Sequence, residues 1–443
     1  MMSPPLRGVL AATVAALLCS AAPRAQGASS GDSAGVLIVR AARILDVRAG
    51  KYIEAGAVYI EGERIQAVGR AADVESRAPP RTAVLDLGDA VLLPGLIDCH
   101  THMMARMPDG EFAYEINLLT KSQAYRALEG AANARQTLAA GFTTVRDVES
   151  EGAGYADAAL RDAINDGLVE GPRMRVATRG IAAVGEYYPF HVAADIVGFP
   201  TGAQMISGTE EARRAVREQI GHGADLIKVY ADWTHPTLTV EEMRVVVEEA
   251  HKAGRKVAAH ATTAEGIRNA VMAGVDSIEH GHRASREDLV LMRSKGVYLV
   301  PTLSGLDAGL AKNPARYQSP RAKAFVESVR QTLTMAKALG VKIADGSDPD
   351  SAEAHGRNAQ ELESMARRGL TPLEAIRAAT LAAADLIGWP DDVGALETGK
   401  FADLIAVRGD PLVDLGVLEQ VAFVMKGGRI IKDTLTESRA TNP

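Results

Sequence analysis

Cysteine is almost missing from this chain: there are two among 443 residues, and one of them, Cys19, lies in an apolar leader. With the leader removed only Cys99 is left, so no intramolecular disulfide can form and stability has to come from elsewhere, from packing first of all. Aromatic residues make up 4% of the chain, which excludes a core built on large rings and suits close-packed α/β layers better than an all-β fold. A Lys/Arg-rich block is absent and the net charge is -7, which argues against nucleic acid and anionic membrane surfaces as partners. Small molecules or peptides fit better.

Long apolar runs are absent too, with one exception. Residues 8–22 are small residues and leucines behind the single positive charge of Arg7. The run is shorter than the about 20 residues that a membrane span needs. With the small residues that follow, it predicts a secretory signal peptide over residues 1–27 and export to the periplasm or the medium. A retained anchor is the alternative. After signal removal no stable membrane insertion is expected.

What the chain does have is a series of short strand-like runs with chemistry at their ends. LLPGLIDCHTH, from Leu92 to His102, closes in two histidines one residue apart. Alternate residues of a strand share a face, so His100 and His102 would grip one divalent ion. LIKVYAD supplies Lys228, KVAAHAT supplies His260, SIEHG supplies His280 and VKIADGSD supplies Asp348. With FTTVRDV, RMRVATRG and VYLVPTL, eight such runs alternate with helical stretches over residues 95–388. One of those helices opens with Thr239 and Glu242 in capping-box spacing. The rhythm and size predict a (β/α)₈ barrel of the TIM type, whose parallel strand ends meet at one mouth. A doubly wound open sheet would not gather these ends. The flanking segments, residues 36–94 and 389–436, share a texture of short β runs and turns and predict a composite β-sandwich built from both chain ends. The long connections 181–208 and 304–320 are expected to form walls or lids of the pocket.

PGLIDCHTH, IKVYAD, AHA, IEHG and GSD, with GKFADLIAV from Gly399 to Val407, resemble the motifs of the amidohydrolase superfamily of metal-dependent hydrolases. The resemblance is to its imidazolonepropionase-like branch, which contains prolidase-like dipeptidases, and it spans nearly the whole chain after the leader. It implies a centre of two divalent metal ions, zinc first, with His100, His102, Lys228, His260, His280 and Asp348 as ligands. By the same resemblance Lys228 is carboxylated by carbon dioxide and bridges the metals. A plain lysine ammonium has no lone pair, and one that binds an anionic substrate group is the alternative. Ser347 and Pro349 flank Asp348 where the family more often has threonine and alanine, and Asp345 offers a second carboxylate. The order Gly-Ser-Asp favours Asp348.

The mechanism that follows is hydrolysis by a metal-bridging hydroxide, with Asp348 taking the proton of that water and passing it to the leaving nitrogen. Tyr230 shares the strand face of Lys228, and by resemblance to the dipeptidases its hydroxyl would bond the reacting carbonyl or a substrate carboxylate. His191, in EYYPFH, is placed in a substrate loop, where it lines the pocket or merely packs. His282 shares the strand face of His280 but lies outside the motif. His222, His235, His251 and His355 read as surface or loop residues, and Met243 and Met272 as core. The expected substrate is an Xaa-Pro or related dipeptide, or an N-acyl amino acid. Cyclic amides of the imidazolonepropionase or hydantoinase kind, or an amide-linked xenobiotic such as a mycotoxin, are the alternatives. A non-catalytic scaffold that has kept the barrel is the rival from another class, and metal content separates it from an enzyme. Homo-oligomerisation stays open.

Overall fold

The computed structural model describes residues 35–436 apart from 109, 111, 188–192, 194, 197 and 234. The leader and His191 lie outside the described residues. The chain opens with strands β1 (Leu37–Asp46), β2 (Lys51–Glu61), β3 (Arg64–Arg70), β4 (Ala83–Asp86) and β5 (Val91–Pro94). β1 and β2 pair antiparallel, and β4 and β5 share the other edge of β1, both parallel to it. Gly62 makes the turn from β2 to β3 at a φ of 60°, which costs glycine nothing because it has no Cβ.

One residue, Gly95, separates β5 from β6 (Leu96–Thr101), the first strand of the middle region. β6, β7 (Phe142–Asp147) and β8 (Arg173–Val176) form a parallel three-stranded sheet. A second parallel sheet holds β9 (Ile181–Ala183), β10 (Gln204–Ile206), β11 (Leu226–Tyr230), β12 (Lys256–Ala261), β13 (Ser277–His280), β14 (Tyr298–Val300) and β15 (Lys342–Ile343). Each of the eight runs read from the sequence holds one of these strands. β9 and β10 were not expected: they lie in the long connection after β8 and extend the second sheet at its β11 edge. With three residues each, they are too short to show a period of two. The other long connection holds a helix, Ser304–Lys312, and a tight turn, Pro314–Tyr317. Single backbone bonds link the two sheets where their ladders stop. Asp225 N donates to Val176 O at 2.7 Å, Cys99 N to Asp345 O at 2.9 Å and Asp348 N to His100 O at 2.8 Å.

The helices between strands bury one face each. Val240–Lys252 starts from Thr239, whose hydroxyl and the Glu242 carboxylate bond each other's backbone N–H, as the capping-box spacing predicts, and it buries Met243, Val246, Val247 and Ala250. Met272, expected in the core, is 49% exposed. The stripe of its helix that faces inward is Gly266, Ile267, Ala270 and Val271, and Met272 falls on the other side. Among the described residues no helix is long and apolar enough to cross a membrane.

Strands β16 (Leu404–Val407), β17 (Phe423–Lys426) and β18 (Arg429–Asp433) return to the first sheet, giving the order β18-β17-β16-β5-β1-β2-β3 with β4 beside β1. Both chain ends therefore share one continuous eight-stranded sheet, and Arg64 at its β3 edge makes a bridge to Phe401 just ahead of β16. Val39, Ile44, Val58, Ile60, Leu92, Leu404 and Phe423 fill its core. Burying each such side chain contributes about 1.5–3 kcal/mol.

Candidate metal centre

The side chains singled out at the strand ends come together. His100 Nε2 and His102 Nε2 lie 3.6 and 3.2 Å from Asp348 Oδ1, and ligand atoms of the three residues are all within 4.8 Å of one another. The His280 ring is 5.1 Å from that of His100 and 4.5 Å from that of His260, and its Nδ1 is 3.9 Å from Asp348 Oδ2. Lys228 is 1% exposed, with its Nζ 5.1 Å from the ring of Tyr230. These six residues and Tyr230 line one cavity of about 550 Å³. Asp345 does not reach it. Both of its carboxylate oxygens are buried without a hydrogen-bond partner, and burial pushes its pKa well up.

Backbone strain aims several of these groups. Glu151, Thr178, His280, Thr302 and Asp348, each at or just past the carboxyl end of a strand, have φ of 51°, 64°, 70°, 49° and 56°. A residue in this left-handed region costs about 1–3 kcal/mol and persists where surrounding structure enforces it, typically at functional sites. At His280 the turn ends the alternation of β13. His282 therefore does not repeat the placement of His280: it is absent from the cavity lining, packs on Phe325 with ring centres 5.3 Å apart, and has a buried Nε2 without a partner.

Electrostatics divides the imidazoles. His100 Nδ1 stands 2.7 Å from Glu279 Oε2, and Arg146 reaches both oxygens of Glu279 at 2.8 and 2.9 Å. Burial opposes the Glu279 charge, but Arg146 and then His100 outweigh it and hold the carboxyl at about 2. Burial, helped by Lys228, takes His100 down to about 4. The neutral ring places its hydrogen on Nδ1, toward Glu279, and its lone pair on Nε2, which is buried without a hydrogen-bond partner. Burial likewise carries His260 and His280 well below the ordinary value, and His280 Nδ1 is 2.6 Å from the Thr302 hydroxyl. His102 is the opposite case. Burial works against its charge, but Glu151, 3.0 Å from its Nδ1, and Asp348 raise it to about 10. Asp348 is held well below the usual carboxylate range: burial would raise it, and His100, His102 and His280 prevail. Neutral His100, His260 and His280 beside a carboxylate that demands positive charge are the donor set of a zinc-type cation, and His102 joins them when the incoming cation displaces its proton, so the residues present fit the implied metal.

Several functional residues escaped the sequence reading. Glu279 and Asp98 are carboxylates inside otherwise apolar strand runs, and that was their only signal. Asp98 accepts from His100 N at 2.9 Å, Ser347 N at 3.1 Å, Asn358 Nδ2 at 2.7 Å and the Ser347 hydroxyl, so it ties the histidine strand to the Asp348 loop. Tyr230 donates to Glu149, Tyr187 O–H lies 3.2 Å from the same carboxylate, and Trp233 stacks on His260 at 4.8 Å. His355, read as a surface residue, is 4% exposed, with Nε2 3.0 Å from Ala105 O. His235 and His251 are exposed, each bound to a carboxylate.

The family model for the amidohydrolase family matches residues 91–432. Ochratoxinase of Aspergillus niger is 32% identical over 444 residues, 91% of this chain and 88% of that protein. Among solved structures, a Xaa-Pro dipeptidase with methionine bound in its active site matches with a TM-score of 0.80 at 32% identity, over 89% of this chain and 99% of that one. A prolidase complexed with N-methylphosphonate-L-proline matches with a TM-score of 0.79 at 32% identity, over 90% and 100%. The chain belongs to the amidohydrolase family, and it is a hydrolase of amide bonds.

Proposed function

We propose that the protein cleaves the amide bond of an Xaa-Pro or related dipeptide, or of an N-acyl amino acid, at a centre of two divalent metal ions. His100, His102, Lys228, His260, His280 and Asp348 would hold the ions, with Lys228 carboxylated. The observation that carries this is His100 Nε2, a buried lone pair without a hydrogen-bond partner, 3.6 Å from Asp348 among three further imidazoles. When bound, the ions would polarise the substrate carbonyl and lower the pKa of water. Burial lowers the pKa of Lys228, which raises the share of neutral amine that can react with carbon dioxide.

The chain's own groups do the rest. Asp348, ionised and 33% exposed toward the cavity, takes the proton of the attacking water and passes it to the leaving nitrogen. Burial and then Glu149 raise the Tyr230 phenol well above its ordinary value, so it stays protonated; its one hydrogen goes to Glu149 in this structure and would have to turn from that carboxylate to reach the oxygen on which charge develops. A cavity of about 550 Å³ is in the size range of small-ligand sites and accommodates a dipeptide. In the same reading the two parallel sheets close as a (β/α)₈ barrel over residues 95–388, beside a domain of residues 36–94 and 389–436, and the leader directs export.

A second reading, hydrolysis of an amide-linked mycotoxin, is supported by the 32% identity to ochratoxinase and by the aromatic wall of Phe112, Tyr114, Tyr187 and Trp233. A panel of dipeptides, N-acyl amino acids and mycotoxin amides, given to zinc-loaded protein with a chelated control, tests both. Turnover confined to cyclic amides, or turnover that survives chelation, removes the proposal.

A further inference from the structure

A second cavity, of about 120 Å³, lies at the opposite ends of the strands that carry the metal ligands. Its lining includes Asp225 and Leu226 at the start of β11 and Arg255 and Lys256 at the start of β12, whereas His260 comes from the far end of β12. Leu386 to Gly388, at the end of a helix, form another wall. The charges are lopsided. Arg146, Arg175, Arg255 and Lys256 line the cavity, and Asp225 is its one carboxylate.

Most of these groups already have partners. Arg146 is bound to Glu279, Lys256 Nζ donates to Asp385 O at 2.8 Å, and Asp225 takes Arg161 at 2.7 Å and Arg175 at 3.5 Å. The guanidinium of Arg175 also lies 4.1 Å over the ring of Trp389. Arg255 is different: among the described residues its side chain has no hydrogen bond and no ion pair. The Nε atoms of Arg175 and Arg255 are both buried without a partner. Each unsatisfied buried donor opposes folding, and water in the cavity would satisfy hydrogen bonds while leaving the Arg255 charge without a counter-ion.

We propose that this cavity is a binding site for a small inorganic oxyanion of the phosphate class, held between Arg175 and Arg255. Guanidinium forks match tetrahedral oxyanions in geometry as well as charge. The volume admits such an ion and excludes a nucleotide. Bound there, the ion links β8 through Arg175 to the start of β12 through Arg255 at the end remote from the metals, while the Asp225 carboxylate stays with Arg161, so it acts on stability rather than on chemistry. The inference does not depend on the proposed substrate.

Inorganic phosphate titrated into the chelated full-length protein, at constant ionic strength in chloride buffer, provides the test, read by calorimetry and by melting temperature. Chelation removes any phosphate binding at the metal centre. The expected result is saturable binding with a rise in melting temperature, weakened at least tenfold in Arg255→Met. In phosphate-free buffer the metal-loaded variant should turn over substrate as the parent does and melt no lower, because a crowded like charge has been removed. Indistinguishable isotherms for parent and variant overturn the proposal. So does a stabilisation that sodium chloride reproduces, or an Arg255→Met protein that melts lower without phosphate, since the guanidinium would then support the fold by itself.

Discussion

His102 is the imidazole that keeps its proton, while its neighbour His100 sheds it at about 4. The difference lies in the carboxylates: His102 stands between Glu151 and Asp348, whereas the Glu279 beside His100 is already neutralised by Arg146. A folded-state pKa of about 10 against an ordinary 6.5 fixes the sign of a pH effect. The contribution is present in full below about 6.5 and is lost as pH rises through about 10. In chelated protein the stability gap between the parent and His102→Gln is therefore expected to hold up to pH 6.5 and to narrow toward pH 10, as read by urea unfolding across pH. A gap that widens with pH contradicts the assignment. Asp348 permits a complementary experiment. Asparagine tolerates its positive φ, so Asp348→Asn should keep the fold, at a melting temperature lowered by the loss of the charge that faces His102. Without a proton carrier kcat is expected to fall about 10²–10⁴-fold. A loss of less than tenfold would assign proton transfer elsewhere.

Elements show why some of this was legible in the sequence and some was not. A buried parallel strand is a short, mostly apolar run, and the histidine or carboxylate at its carboxyl end marks the mouth, which is how His100, His260, His280 and Asp348 could be found. Asp98, Arg146 and Glu279 sit inside such runs, and their partners are set by register between strands far apart in the chain. At His280 and Asp348 the left-handed residues are not glycine or asparagine, but Gly281, also left-handed, directly follows His280 and was a signal that the strand alternation does not run on to His282. Glu279 shows how much rests on an unannounced residue. It joins β6 through His100 and β7 through Arg146, and the Ser277 hydroxyl bonds it within β13. Glu279→Gln strands a buried guanidinium, so a loss of about 3–5 kcal/mol is expected in chelated protein. Zinc affinity should fall about 10–100-fold as His100 loses the group that fixes its hydrogen. Unchanged urea midpoints with unchanged zinc affinity would show that the cross-link is idle.

At the scale of the molecule, the sheet shared by both chain ends is joined directly to the candidate metal centre. β5 is bonded to β1 on one side and β16 on the other, and it passes through Gly95 into β6, which carries His100. Gly95 N donates to Asp403 O at 2.9 Å, so the carboxyl-terminal segment holds this junction in place. The junction has no room to spare: a Cβ on Gly95 would stand 2.1 Å from the Thr143 hydroxyl oxygen and 2.6 Å from its methyl carbon on β7. Gly95→Ala must therefore push β6 away from β7, at about 1–3 kcal/mol for an overpacked core. It would also shift His100 and His102 relative to Lys228, His260 and His280, which stand on β11, β12 and β13 of the second sheet. The expected outcome is a lower melting temperature together with less zinc bound per chain, although no ligand has been changed. Thr143→Ala in the same chain removes the two closest atoms and should restore part of both losses. If Gly95→Ala melts lower yet binds its full complement of zinc, the sheet domain supports the fold without setting the geometry of the site.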